Sequence, residues 1–345
     1  MKAKKIKKVI LSVIALIAAA ALLFGGYIIY RFNCNKSDSD FSYDSVFSDH
    51  QISLNVNDNG EFRILKINDT HFFNGICDND VKTLNGIQSV LETTACDLII
   101  VDGDLVEGFN LKSAYNKYQA IDIFADLIEK YNTPWTFAPG NNDGEIDGSN
   151  EDVIAHLMQY DNFIYGNSKN ISGDMQFFID LNYQNELVHS VAVMDSGARK
   201  PKAIGGYDYI KQSQIDWLLD GINSRNVKTS VFFHMPTVDF QSAYDGGEVY
   251  DGFAMYNTYP YDGIEENRLF AESISGNENI TLLSAAHQHS NNMCSFYDGR
   301  YYQLSSCSGY GAGHHDFITP CCTLTTIDVN DDNTQTMYSF EELTY

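Results

Sequence analysis

Basic residues are scarce in this chain of 345 residues: 22 Lys and Arg stand against 46 Asp and Glu, a net charge of −24. Six of the 22 fall within residues 1–31, which hold no acidic residue, so the rest of the chain sets 16 basic side chains against 46 acidic ones. A surface of that sign repels polyanions, which excludes a long nucleic-acid groove and a stable seat on anionic lipid. The seven cysteines (Cys34, Cys77, Cys96, Cys294, Cys307, Cys321, Cys322) lack a repeated C-x-x-C spacing, which excludes a structural zinc module. Disulfides are permitted, but the odd count leaves at least one thiol unpaired in a monomer. Internal repeats and low-complexity tracts are absent too, so a single large domain is expected.

What is present begins with MKAKKIKK, followed by Val9 to Tyr30, 22 residues without a charge. That run is long enough to cross a hydrocarbon core of about 30 Å as a helix. Five lysines before it and only Arg31 after it predict a cytoplasmic N-terminus and export of everything beyond residue 31. The rival is a signal peptide cleaved near Ala18 to Ala21, giving a secreted protein. Continuation of the apolar run through Leu22, Leu23, Tyr27, Ile28 and Ile29 favours the uncleaved anchor. Asn33 to Asp49, rich in Ser, Asp and Asn, reads as a solvated stalk. The expected division is therefore 1–31 basic stub and membrane helix, 32–51 stalk, and 52–345 catalytic domain.

Beyond the stalk, short β-branched runs alternate with longer amphipathic stretches, the pattern of an α/β domain. Strands are predicted at Phe62–Asn68, Leu98–Asp102, Trp135–Ala138, Gln176–Leu181, Val188–Asp195, Thr229–His234, Ile280–Ser284 and Tyr301–Ser305. Helices are predicted at Asp80–Thr93, Ser113–Tyr131, Glu151–Tyr160, Ser213–Asn223 and Ile264–Ser275. Asp298-Gly299 signals a hairpin turn.

Five of the apolar runs lead directly into metal-capable side chains. RILKIN ends in Asp69-Thr-His71, DLIIV in Asp102-Gly-Asp104, WTFAP in Gly140-Asn-Asn-Asp143, SVFF in His234, and ITLLSA in His287-Gln-His289. Each motif alone is ordinary, for Gly-Asp is first a turn and a single His first a core residue. In an open α/β sheet, however, the ligand site lies beyond the carboxyl ends of the strands, so five such ends can form one cluster.

That ordered set resembles the calcineurin-like metallophosphoesterases, with their D-x-H, G-D-x-x, G-N-H-D/E, lone H and G-H-x-H motifs, over roughly residues 60–320. GYDYIKQSQIDWL at 206–218, FFHMP at 232–236 and CSGYGAG at 307–313 are similar to the purple-acid-phosphatase-related branch. Glu107 stands where that branch carries an iron-binding Tyr, so no purple colour is expected. The resemblance implies a four-layer α/β/β/α sandwich holding two divalent metal ions (Mn, Fe or Zn). One metal would be held by Asp69, His71, Asp104 and His289, the other by Asp104, Asn141, His234 and His287, with Asp104 bridging. It further implies hydrolysis of phosphate esters by a metal-bridged hydroxide attacking phosphorus. Two cations would supply the local positive field that the acidic surface lacks for a small phosphorylated substrate.

Two positions depart from the pattern. Asn142 replaces the His that assists the leaving group; an amide donates a hydrogen bond to a phosphate oxygen but gives up no proton at neutral pH. This leans the expected substrate towards phosphodiesters and opens an alternative, a metal-retaining binding protein with impaired catalysis. Ala286 replaces the Gly before His287, a change expected to be tolerated where φ is negative. Asp143 is expected to orient Asn142 or a ligand. His314, beside His315, is a candidate proton donor or simply part of a solvated loop, and Tyr310 is a candidate cleft residue by resemblance. The aromatic residues of 244–261 are expected to pack an insertion onto the domain or to wall the cleft.

Overall fold

The computed structural model describes residues 2–34, 52–108, 117–145, 149–166, 168, 171–198, 206–253, 264–313, 318–330 and 337–345. His314, the expected stalk after residue 34 and the aromatic residues of 254–261 lie outside them.

Helix α1 (Lys2–Cys34) contains a 26-residue span, Lys4–Ile29, long and apolar enough to cross a membrane; a signal sequence meets the same criterion. The chain then runs β1 (Ile52–Asn55), β2 (Glu61–Ile67), α2 (Asp78–Thr93), β3 (Leu98–Asp102), α3 (Lys117–Glu129), β4 (Trp135–Ala138) and α4 (Asn150–Leu157). There follow β5 (Gln176–Tyr183), β6 (Glu186–Met194), α5 (Gln212–Arg225), β7 (Lys228–Phe233), α6 (Asp239–Gly246), β8 (Glu248–Phe253) and α7 (Ile264–Ile274). Strands β9 (Ile280–Ala285), β10 (Asn292–Tyr297), β11 (Arg300–Leu304), β12 (Cys321–Asp328) and β13 (Met337–Thr344) complete it.

These strands form an α/β two-sheet sandwich. The five-stranded sheet has the order β13-β12-β2-β3-β4, and the eight-stranded sheet β1-β5-β6-β7-β9-β11-β10-β8. Strands β2, β3 and β4 are mutually parallel, as are β6, β7, β9 and β11. Both parallel groups are buried on two faces, which their continuous Val, Ile, Leu and Phe runs require. Along β7, Phe232 joins the core shared with the five-stranded sheet and with α2, α3 and α4. Its neighbours Val231 and Phe233 instead join the cluster built with α5, α6 and α7. That period-two alternation fixes the register, because a one-residue slip would exchange the two faces.

All eight predicted strands are present. The hairpin turn is also present, with Asp298 at φ 47° and Gly299 at φ 79°, the positive pair that a two-residue turn demands. The predicted helix at 113–131 is observed from Lys117, its expected first turn lying outside the described residues. Among the described residues Cys77, Cys96, Cys307, Cys321 and Cys322 are free thiols.

Candidate metal centre

The carboxyl ends of β2, β3 and β4 meet those of β7 and β9 at one pole of the sandwich. Backbone bonds first zip the two leading loops together: Asp69 N–H donates to the Gly103 carbonyl and His71 N–H to that of Asp104, both at 3.0 Å. Phe72 then bridges to Val106 as a short parallel extension of the β2/β3 pair. Asp69, His71, Asp104 and His287 all lie at positive φ, between 47° and 67°. Non-glycine residues pay about 1–2 kcal/mol for that conformation. Such backbone concentrates at functional sites, where the surroundings over-determine it.

The glycines of the two loops are there for room. A Cβ on Gly103 would lie 2.4 Å from His234 Nδ1, and one on Gly140 would lie 2.2 Å from the Asp104 nitrogen. Only a bare backbone lets the β3, β4 and β7 loops approach so closely. Ala286 is not among the residues at positive φ, so its side chain is accommodated as expected.

Two sets of ligand atoms result, Asp69, His71, Asp104 and His289 in one and Asp104, His234 and His287 in the other, each within 4.8 Å. Asp104 Oδ2 lies 3.5 Å from both His71 Nε2 and His234 Nε2. Asp69 Oδ1 is 3.1 Å from His289 Nε2 and 3.8 Å from His71 Nε2. Asp69, His71, Asp104, Asn141 and His234 are all less than 5% exposed.

The proton positions decide what this cluster wants. His234 Nδ1 donates to the Asp102 carbonyl at 2.8 Å, and His289 Nδ1 to the Ala312 carbonyl at 3.1 Å. His71 Nδ1 donates to a Glu107 carboxylate oxygen at 2.7 Å. With Nδ1 donating outward, each of these Nε2 atoms faces inward, where it takes up either a proton or a metal ion. His71 Nε2 and His289 Nε2 nonetheless stand 3.0 Å apart, and His289 Nε2 faces Asp69 Oδ1. Atoms gathered this closely need positive charge among them, as protons or as a metal ion. Asn141 Oδ1 and His234 Nε2 are likewise buried with no hydrogen-bond partner among the described residues. Oxygen and imidazole donors in this mixture suit Mn, Fe or Zn.

Electrostatics agree. Burial opposes an imidazolium at His71, yet Asp69, Glu107 and Asp104 outweigh it and raise its pKa to about 10. At His234 burial is again overcome, by Asp104 and Asp69, with the same result of about 10. Asp69 and Asp104, although buried, are held well below the usual carboxylate range by the surrounding histidines. His287 goes the other way: burial and the neighbouring His234 lower it to about 3, leaving it neutral.

The family model for calcineurin-like phosphoesterases matches residues 62–291, two thirds of the chain, and spans every one of these ligand positions. The chain belongs to the calcineurin-like phosphoesterases. This phosphoesterase is 27% identical over 299 residues to the protein named "Probable inactive purple acid phosphatase 29" of Arabidopsis thaliana, covering 75% of this chain and 74% of that protein. It is 24% identical to "Probable inactive purple acid phosphatase 28" of the same plant, over 78% and 75% of the two chains. Its fold is similar to the crystal structure of a dimetal phosphatase from Danio rerio, with TM-score 0.51 and 10% identity over 82% of this chain and 99% of that one. It is thus a metal-dependent phosphoesterase, with clustered ligands for a dinuclear site.

Two expected site residues turn out to have structural work. Asp143 is fully buried, and its carboxylate accepts from the backbone N–H groups of Gly140, Asp104, Leu105 and Val106 at 2.8–3.2 Å. It clamps the β3 and β4 loops together and positions the backbone of Asp104; burial and nearby Asp104 push its pKa up to about 6. The Tyr310 hydroxyl donates to the Tyr345 carbonyl and its N–H to Thr83 of α2. The loop it sits on supports the site through its backbone, at the Ala312 carbonyl. Asn142 is where the sequence places it, with Nδ2 donating to Asp104 Oδ2 at 2.6 Å.

Sequence reasoning missed Lys66. It is fully buried beneath the ligands, 3.8 Å from Asp102, and donates to Ser284 Oγ and the Ala285 carbonyl across the sandwich. Burial lowers the lysine to about 8 and raises Asp102 to about 6. The charged residue inside the otherwise apolar RILKIN run was the available signal.

Proposed function

We propose that this chain hydrolyses small phosphate esters, phosphodiesters before monoesters, with two divalent ions (Mn, Fe or Zn) held as Asp69, His71, Asp104, His289 and Asp104, Asn141, His234, His287. The observation that carries the reading is the Asp104 carboxylate oxygen equidistant from one imidazole of each set. Bound there, a pair of divalent cations supplies Lewis acidity to phosphoryl oxygens and lowers the pKa of a water. The chain's own residues do the rest. The Asp102 and Ala312 carbonyls and the Glu107 carboxylate accept from Nδ1 of His234, His289 and His71 and so aim those rings. Asp143 holds the bridging loop in place, and Asn142, one amide hydrogen on Asp104, keeps the other for a non-bridging phosphate oxygen. With no imidazole at residue 142, leaving-group protonation, ordinarily worth about 10²–10⁴-fold, falls to another donor, His314 being the candidate in this sequence. Activated and diester leaving groups suffer least from that loss.

The wider reading supported by the sequence is a four-layer α/β/β/α domain over 52–345, related to the purple-acid-phosphatase branch without its Tyr ligand, and tethered by residues 1–31 outside the cytoplasm. The alternative, metal retention without turnover, is fitted by Asn142 and Ala286; gathered ligands serve both readings, so turnover decides between them.

The test is metal content per chain, then hydrolysis of an aryl phosphodiester and the matching monoester with added Mn²⁺, beside Asp104→Asn. Near two metals per chain and diester turnover lost in Asp104→Asn is the expected result. Bound metals with neither ester turned over would transfer the assignment to a silent binding protein.

A further inference from the structure

We infer that the two cation positions are unlike, and that Glu107 makes them so: its carboxylate, hydrogen-bonded to His71 Nδ1, strengthens the Nε2 donor and assigns the tighter cation to the Asp69, His71, Asp104, His289 set. The inference deepens the dinuclear reading above and rests on it. Three imidazoles of the centre are anchored from behind, and two of the anchors are neutral, the carbonyls of Asp102 and Ala312. His71 is instead anchored on a carboxylate, at 2.7 Å. A carbonyl oxygen offers a partial charge, whereas a carboxylate offers a full one and draws the Nδ1 proton further, leaving the ring more electron-rich at the opposite nitrogen.

The backbone makes this contact deliberate. Glu107 N–H donates to the Phe72 carbonyl at 3.0 Å, so residue 107 is tied to the residue next to His71. The glutamate side chain is 29% exposed, which spares its charge the cost of full burial. Charge counting points the same way. The first set holds Asp69 and Asp104 with Glu107 one bond behind, while the second shares Asp104 and adds only the neutral Asn141, His234 and His287. The position where the purple branch carries a Tyr ligand here serves an imidazole from its far side.

The experiment titrates the metal-stripped full chain in detergent with Mn²⁺ alone, following free Mn²⁺ by its electron paramagnetic resonance signal. Wild type is expected to bind two ions in separable steps. Glu107→Gln keeps shape and an acceptor oxygen but removes the charge, and should weaken the tighter step by about 10–100-fold while leaving the other unchanged. Glu107→Ala, measured alongside, should weaken the same step at least as much, and it decides the matter if the Gln variant melts early by circular dichroism. Both steps weakening equally, or neither moving, overturns the inference while the dinuclear reading stands. A wild-type chain that takes up no second ion sinks both.

Discussion

At the metal pole of the sandwich four non-glycine residues, Asp69, His71, Asp104 and His287, adopt positive φ; at the opposite pole Asp298 and Gly299 do the same in a hairpin turn. The backbone is alike and its surroundings are not. A Cβ on Gly299 would meet nothing within 4 Å, whereas one on Gly140 would collide with Asp104 at 2.2 Å. The far pole is closed by a chain of hydroxyls, with His189 Nε2 2.9 Å from Ser230 Oγ, and Ser230 Oγ 3.0 Å from the Tyr338 hydroxyl, which also meets Thr281 at 2.5 Å. At the metal pole, imidazole nitrogens and carboxylate oxygens converge instead. Left-handed backbone is turn chemistry at one end and a holder for converging ligands at the other, and only the neighbours tell them apart.

The sharpest way to break that contrast is Gly140→Ala, expected to cost about 3 kcal/mol in a thermal melt by overpacking and to abolish metal uptake. If it melts like wild type and loads two metals, the close approach of the loops is not required. Next is acid stability. Burial lowers His189 to about 3. The unfolded chain takes up that proton below about pH 6.5 and the native one does not, so stability falls as pH drops from about 6.5 to about 3. His189→Gln should flatten this loss by on the order of 3 kcal/mol in denaturant titrations across that window. An unchanged slope would place the acid sensitivity elsewhere. Asp143→Asn exchanges an acceptor for a donor against backbone N–H groups; about 2 kcal/mol and weaker metal binding are expected, with diester kcat falling only as far as metal occupancy does. A kcat loss at full occupancy would return Asp143 to the chemistry. Smallest is Gly299→Ala, about 1 kcal/mol for the φ alone, with metal content and turnover untouched.

The parallel strands were legible because a short Val, Ile or Phe run that stops at Asp or His is both a buried strand and a strand end. Strand β12 was not, since CCTLTTID carries few strongly apolar residues although most of it is buried. Nor was β13, an edge strand whose half-exposed alternation signals no core. Six of the seven expected ligand positions, those that gather into two sets, could be read from their order. Glu107 against His71, Lys66 across the sheets and the Asp143 clamp could not, because each depends on residues that approach only when strand ends are side by side. The bonds of Tyr310 to α2 and to the C-terminal residue were likewise not legible.

Lys66 has one more consequence, for the order of events in the life of the chain. Its partner Ser284 lies 218 residues away, the same separation as between His71 and His289. No fragment that ends before β9 contains either contact, and closing so long a loop is repaid only late in folding. A chain still emerging from the ribosome therefore has no complete cradle to fill, and the cradle closes only when the last strands dock.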